Sequence, residues 1–210
     1  MSLRYDFGVD VANKKSVYHH VIVFSGNGRR VLDVGCDTGN LGEFIKTSAA
    51  SVDGVEMDPE AAELARRKLD HVVCGSIEDE RVLSELKGPY DTIIFADVLE
   101  HLAYPDRTLE RIKPLLAPGG EVIASLPNVA NFRVRFSLLF GRFEYTEIGI
   151  LDRTHLRFFT RKTAAGLFNK AGYEVMDTRP AATYMPWLLL MAWPGLFATR
   201  FVVRACMPRT

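Results

Sequence analysis

The chain has 210 residues, enough for one domain with a real core, and 48% of them are hydrophobic, which excludes disordered and low-complexity classes. Lys plus Arg number 26, as do Asp plus Glu, and a zero net charge argues against a general nucleic-acid binder, which needs a basic surface to neutralise phosphates. Cys36, Cys74 and Cys206 lie far apart with no CxxC pair, so neither a disulfide framework nor a metal site is expected.

In chain order, the opening from Met1 to Asp6 lacks the basic and then apolar pattern of a secretory signal, so a soluble, cytoplasmic protein is expected. A helix bearing His19 and His20, within residues 1–29, precedes the first strand and is placed to cover a ligand. Residues 30–34 are a short β-branched strand, followed by a glycine-containing turn and a helix over 41–49. Residues 51–57 form the second strand; Asp58 caps the next helix, 59–69, with Pro59 at its first position. A third strand, 71–74, precedes a helix over 80–86. The fourth strand, 91–96, is apolar and leads to a helix over 105–116, after which Pro118-Gly119-Gly120 turns into a fifth strand, 121–126.

Apolar strands alternating with amphipathic helices specify βαβ units, hence a parallel sheet covered on both faces. After Asn128 the rhythm breaks: residues 128–160 are aromatic and Arg-rich, and too long for an ordinary connection. Thr160 caps a helix that ends at Gly172, and residues 173–178 and 197–206 are the sixth and seventh strands. The expectation is a single domain over 1–210, an α/β, doubly wound, mostly parallel seven-stranded sheet with a lid insertion after the fifth strand. The run from Trp187 to Trp193, between Pro186 and Pro194, is far short of the roughly 20 residues that cross a bilayer. Trp187, Leu188 and Leu190 are expected to pack on the sheet, wall a pocket or meet a second subunit in a homodimer.

Val31-Leu32-Asp33-Val34-Gly35-Cys36-Asp37-Thr38-Gly39-Asn40-Leu41-Gly42 reads as a buried strand, a glycine turn and a helix N-terminus. Gly35 and Gly39 let the backbone approach a ligand where a side chain would collide. Asp33 is out of place in an apolar strand unless it orients the loop or meets a cation. A G-x-G-x-x-G dinucleotide fingerprint would need glycine where Asp37 stands, and an acid in the turn opposes a diphosphate at the helix N-terminus. A nicotinamide oxidoreductase is therefore disfavoured, whereas a ligand without phosphate suits the turn; a βα turn with no ligand is the plainer alternative. The second strand ends Val55-Glu56-Met57-Asp58, placing an acid roughly 20 residues beyond the turn, where it can accept hydrogen bonds from both ribose hydroxyls. Asp58 fills the capping role and leaves Glu56 for the ribose. Met57 can pack on an adenine face, although a Met at a strand end is more often core.

These stretches, with GSIED (75–79), YDTIIFADVLEHL (90–102) and LLAPGGEVIASLPN (115–128), resemble the class I S-adenosylmethionine-dependent methyltransferases in order and spacing from Val31 to Asn128. Two positions depart from that pattern: Asp37 stands at the usual middle glycine, and Ser76 at the usual acid after the third strand. The later segment, Leu126 to Phe143 and Leu151 to Thr160, resembles the branch that includes MetW-like proteins and methyltransferases of polysaccharide and small-metabolite pathways. The resemblance implies S-adenosylmethionine as cofactor, S-adenosylhomocysteine as product, and a small-molecule or glycan acceptor methylated at oxygen or nitrogen. It implies Asp33, Gly35 and Gly39 at the methionine end, with Cys36 and Leu41 in the same turn. Glu56 would then hold the ribose, Met57, Ser76 and Ile77 would surround the adenine, and Asp97 and Val98 would lie near the methyl.

Methyl transfer from a sulfonium is an in-line displacement, so the protein mainly supplies proximity, alignment and a dry site. A hydroxyl acceptor needs a base. His155, in the lid, is the first candidate and His101, after the fourth strand, the second, each weighed against a hydrogen-bonded structural histidine. Arg133, Arg135, Arg142, Arg153 and Arg157 outnumber Glu144, Glu147 and Asp152, which suits an acceptor carboxylate or phosphate; solvated helix faces are the bland alternative. The MetW-like resemblance also leaves open a regulatory or partner-docking protein that binds the cofactor without turnover.

Overall fold

The computed structural model describes residues 12–208, so part of the expected N-terminal cover lies outside the described residues. Helix α1 (Val17–Ser25) is capped by Ser16, whose hydroxyl accepts a hydrogen bond from the His19 N–H. Strands and helices then alternate: β1 (Arg30–Val34), α2 (Asn40–Lys46), β2 (Ser51–Glu56), α3 (Pro59–Ala65), β3 (His71–Cys74), α4 (Glu80–Glu85) and β4 (Tyr90–Ala96). A 3-10 turn at Leu99–His101 leads to α5 (Pro105–Arg111), β5 (Leu116–Pro127), α6 (Phe132–Leu139) and α7 (Arg161–Lys170). β6 (Glu174–Ala181), α8 (Trp187–Ala192), α9 (Pro194–Phe197) and β7 (Arg200–Cys206) follow.

The seven strands form one sheet in the order β3-β2-β1-β4-β5-β7-β6. β7 alone is reversed, lying antiparallel to both β5 and β6. Because side chains alternate across a strand, consecutive residues enter different cores. Val31, Val52, Ile94, Ile123 and Val202 face Val21 and Phe24 of α1 and Ala62 of α3. Leu32, Val34, Ile93, Phe95 and Val122 face Leu109 of α5 and Phe168 of α7. Each such side chain contributes roughly 1.5–3 kcal/mol when fully buried, so both faces of the sheet need their helices.

The expected elements are present, with boundary shifts that have local causes. The Pro118-Gly119-Gly120 turn lies inside the longer β5: Leu116 pairs with Tyr90 and Glu121 with Thr92, so the intervening residues bulge. The helix expected over 105–116 stops at Arg111, and the chain tightens into a 3-10 turn at Lys113–Leu115 containing Pro114, which lacks the N–H a helix interior needs. Phe197 belongs to α9, so β7 starts at Arg200. The chain leaves β1 and β4, which are neighbours, on opposite sides of the order reversal, and the crevice at their carboxyl ends is the standard ligand position of open α/β sheets.

The segment between β5 and α7 divides in two. Around α6, Phe136, Leu139, Phe140, Phe143 and Tyr145 are exposed. Apolar content alone would have placed them against the protein. From Asp152 onward the segment instead docks back, with the Leu156 and Arg157 N–H groups donating to the Glu100 carbonyl at 2.9 and 3.0 Å. In the late apolar run, Leu190 is fully buried against Ala182, Ala198 and Phe201, while Trp187 and Leu188 are exposed. Among the described residues, no helix is long and apolar enough to cross a membrane.

Candidate active site

The turn after β1 needs its glycines because the protein itself packs tightly against them. Gly35 has φ +71°, and a Cβ there would lie 2.5 Å from Val98 Cγ2. Gly39, φ +78°, would bring a Cβ to 3.1 Å from the Ala65 backbone of α3. Asp37, where a glycine was the usual residue, takes φ 48°, a left-handed conformation that Asp tolerates better than most residues. The Gly35 and Cys36 N–H groups both donate to the Val55 carbonyl, at 2.7 and 3.1 Å, which ties the turn to β2.

Asp33 sits beneath this turn, 1% exposed, with no hydrogen-bond partner on either carboxylate oxygen among the described residues. Burial, and then the Glu56 charge, push its carboxyl up to about 7. An orphaned buried carboxylate is what a cationic ligand group would satisfy. Cys36 and Leu41 point into the core with Val52 and Leu69, so the turn offers a ligand their backbone and not their side chains. Burial drives the Cys36 thiol ionisation upward, leaving it neutral.

At the end of β2, Glu56, expected to be left for the ribose, already holds two backbone groups. Its Oε2 accepts the Asp37 N–H at 2.9 Å and its Oε1 the Asp58 N–H at 2.8 Å. Each oxygen keeps a further lone pair, so the carboxylate holds the turn in place and still has capacity for two hydroxyls. Asp58 caps α3 through the Glu60 N–H at 2.8 Å. Met57 is 71% exposed beside it, while Ile77 is 4% exposed, and the Ser76 hydroxyl accepts the Glu78 N–H.

Asp97, just beyond β4, adopts φ 56° and is over-determined. Its N–H donates to Ser125 Oγ at 2.8 Å, the Ser125 hydroxyl donates to Asp97 Oδ1 at 2.6 Å, and Arg200 Nε donates to Oδ2 at 2.6 Å. Tyr18 of α1 lies within electrostatic reach of Asp97, Arg200, Asp37 and Asp33, and burial raises its phenol further. Tyr18 is half-buried on α1, while His20 is buried near Arg179.

The two histidines proposed for catalysis come together. Their rings meet edge to face with centroids 4.8 Å apart, although 54 residues separate them in the chain. The His155 Nδ1 bonds the Ile150 carbonyl at 3.1 Å, and since a carbonyl only accepts, Nδ1 carries the proton. His101 Nδ1 lies 3.3 Å from the Thr154 carbonyl and 3.2 Å from its hydroxyl, which itself donates to Asp152 Oδ1 at 2.7 Å. His101 is therefore also protonated at Nδ1, and in both rings Nε2 presents a lone pair. Burial, and then His101, lower the His155 pKa, keeping it neutral. Glu100, which sequence reasoning did not single out, completes the group: it is fully buried, its Oε1 is 4.0 Å from His155 Nε2, and neither oxygen has a hydrogen-bond partner among the described residues. Burial, and then the Asp97 charge, push its carboxyl well above the usual range. The available signal was an acid in the Val98-Leu99-Glu100-His101 run directly after an apolar strand. Arg200 and Tyr18 had no such signal, because only the folded sheet brings them to the crevice.

Comparison with known proteins agrees with this geometry. A family described as a methyltransferase domain matches residues 16–178. The ubiquinone biosynthesis O-methyltransferase of Pseudomonas aeruginosa strain LESB58 is 33% identical over 159 residues, 71% of this chain and 66%, just under two thirds, of that relative. The enzyme of the same name from Paraburkholderia phymatum is 31% identical over 165 residues, covering 76% of this chain and 70% of its own length. In fold, the chain matches magnesium protoporphyrin IX methyltransferase from Synechocystis, solved with bound S-adenosylhomocysteine, at a TM-score of 0.66 and 15% identity over 98% of this chain and 91% of that one. The comparisons do not separate a MetW-like branch from the others. With a glycine turn, an acid at the end of β2 and a seven-stranded sheet closed by a reversed β7, the chain belongs to the class I S-adenosylmethionine-dependent methyltransferases.

Proposed function

We propose that the chain transfers a methyl group from S-adenosylmethionine to a hydroxyl oxygen of a small-molecule acceptor. The observation that carries the choice of oxygen is the group formed by buried Glu100 and His155 with half-buried His101, beyond the carboxyl end of β4. An amine acceptor needs no group to take its proton before attack, whereas a hydroxyl does. The O-methyltransferase relatives support the same choice.

The residues fit the cofactor. Asp33 would meet the methionine ammonium, the Gly35–Gly39 backbone would lie along the methionine chain, and Glu56 would bind the ribose hydroxyls. Met57, Ser76 and Ile77 would border the adenine, and Asp97 with Val98 would line the methyl. The bound cofactor supplies an activated methyl on a sulfonium. The protein's own part is alignment: Arg200 and Ser125 hold Asp97, Asp97 fixes the start of the 3-10 turn, and that turn sets Glu100 and His101 against His155. His155, with His101 second, takes charge of the acceptor's hydroxyl proton through its Nε2 lone pair. The exposed aromatic side chains around α6 are the acceptor's apolar contact, and closure of residues 128–160 over it would exclude water. No observation favours a purely regulatory role.

His155→Ala tests this reading. Turnover with a hydroxylated acceptor should fall by about 10²–10⁴-fold, with S-adenosylmethionine affinity nearly unchanged. Full turnover in the variant, with stability intact, would remove His155 from the reaction.

A further inference from the structure

We propose that Glu100, His101 and His155 are the protein ligands of a divalent transition-metal ion, of the Zn²⁺ type, bound beside the acceptor. The role of the ion rests on the methyl-transfer reading; its binding does not. Each of the three residues brings one ligand atom within 4.8 Å of the other two. Glu100 is 0% exposed and both of its oxygens lack a hydrogen-bond partner among the described residues. A carboxylate in that position requires either a proton or a cation.

The histidine tautomers favour the cation. Both rings spend Nδ1–H on backbone carbonyls, Ile150 for His155 and Thr154 for His101, so both Nε2 atoms are acceptors. His155 Nε2 and Glu100 Oε1 then face one another at 4.0 Å as two electron-rich atoms, too far apart for a direct hydrogen bond. An N–H to carbonyl contact behind each imidazole is the usual arrangement that fixes a metal-bound histidine and raises its basicity. Asp152, 1% exposed, extends this outer layer by holding Thr154 through both its N–H and its hydroxyl, at 2.8 and 2.7 Å. Arg200, the cation that acts on Glu100, is committed to Asp97 at 2.6 Å, so the charge of Glu100 is not locally neutralised by it.

Two imidazoles and one carboxylate form the donor set of catalytic zinc sites, which keep a position open for water or substrate. Bond lengths of ~2.0–2.2 Å would draw the donors to separations of ~3–3.5 Å, a side-chain movement of about 1 Å. With the Nε2 lone pairs of His155 and His101 on the ion, the ion takes over from His155 the removal of the acceptor's proton: a hydroxyl at the open position would be acidified by the ion, and its proton would pass to water. The resulting oxyanion attacks the cofactor's methyl carbon, an O–C bond forms as the S–C bond breaks, and that electron pair stays on sulfur. Sulfonium becomes neutral thioether, with no change of oxidation state at the metal.

The test is titration of Zn²⁺ and Co²⁺ into the EDTA-stripped full chain, read by calorimetry, by melting temperature and, for Co²⁺, by its visible d–d bands. One ion per chain should bind, raise the melting temperature and give the intense bands of a low-coordinate site. His155→Ala, Glu100→Gln and His101→Ala should each weaken binding by ~100-fold or more, since loss of an outer-layer partner alone costs up to that much. His101 is only half-buried, so its variant carries the test if a variant of a buried ligand does not fold. Equal Zn²⁺ affinity in the parent and the His101→Ala chain would overturn the proposal. Undiminished methyl transfer by the metal-free chain would also overturn it while leaving the methyl-transfer reading intact. One ion held through these three residues, with no acceptor methylated, would do the reverse.

Discussion

Replacing Asp33 by Asn should stabilise the cofactor-free protein at alkaline pH and weaken its hold on the cofactor. Asp33 is buried without a hydrogen-bond partner among the described residues, and its carboxyl is pushed from 3.8 up to about 7 by burial and by Glu56. A folded value above the unfolded one means that the native state binds the extra proton between about pH 4 and pH 7. Stability therefore falls as pH rises through that window, and the full cost, roughly 4 kcal/mol, is present above pH 7. Tyr18 and Cys36 also face this carboxylate, but burial pushes their ionisation up, so they stay neutral throughout. Asn removes the charge and keeps the shape, while its own unpartnered N–H groups cost ~1–3 kcal/mol at every pH. The slope of melting temperature against pH is thus the sharper readout. About 3 kcal/mol of the buried charge's cost falls between pH 4.5 and pH 8, so across that range the parent should lose roughly 6–12 °C relative to the variant, at ~2–4 °C per kcal/mol for a chain of this size. With S-adenosylmethionine present, the variant should bind more weakly by ~1.5–3 kcal/mol, because the ammonium has lost its charged partner. Parallel melting curves for the two proteins across this range would refute the buried-charge argument. Equal cofactor affinity would remove Asp33 from the site.

Three further outcomes follow from the geometry. Glu56→Ala should weaken S-adenosylmethionine binding by about 1–3 kcal/mol in a calorimetric titration, and it should also loosen the turn that Glu56 holds through the Asp37 N–H. Gly35→Ala should cost about 1–2 kcal/mol for the left-handed backbone and more for the 2.5 Å approach to Val98, so both unfolding free energy and cofactor affinity should drop. Leu190→Ala should destabilise by about 2–5 kcal/mol in urea unfolding, whereas Leu188→Ala, at a side chain 82% exposed, should change little; similar losses at both sites would mean that α8 is covered in solution.

The parallel half of the fold was legible because it is written in local terms. β3 matched residue for residue, and β1 did so as well, since each is a short β-branched run that stops at a glycine, Gly35 after β1 and Gly75 after β3. The placement of the candidate cofactor residues was legible for the same reason: Asp33, Gly35, Glu56 and Asp97 all lie at or just beyond strand ends that the alternation locates. What the sequence did not disclose depends on distant pairing. Arg200 reaches Asp97 only because β7 inserts beside β5, and Glu100 is isolated from water only because residues 152–157 fold back over it. The aromatic content of the segment after β5 was visible, but its exposure around α6 was not, since hydrophobicity alone does not say whether a surface is covered by the chain itself.

The reversed β7 has a consequence for how the chain assembles during synthesis. β6 touches the sheet only through β7, which leaves the ribosome after it. Until β7 emerges, β5 presents an open edge and β6 has no strand to join, so the nascent chain carries two unpaired strand edges at once. Closing the sheet is then one late event that also delivers Arg200 to Asp97. A ribosome that stalls before Arg200 would leave behind a chain with its cofactor turn formed, its crevice floor incomplete and its edges free to pair with those of a neighbouring chain.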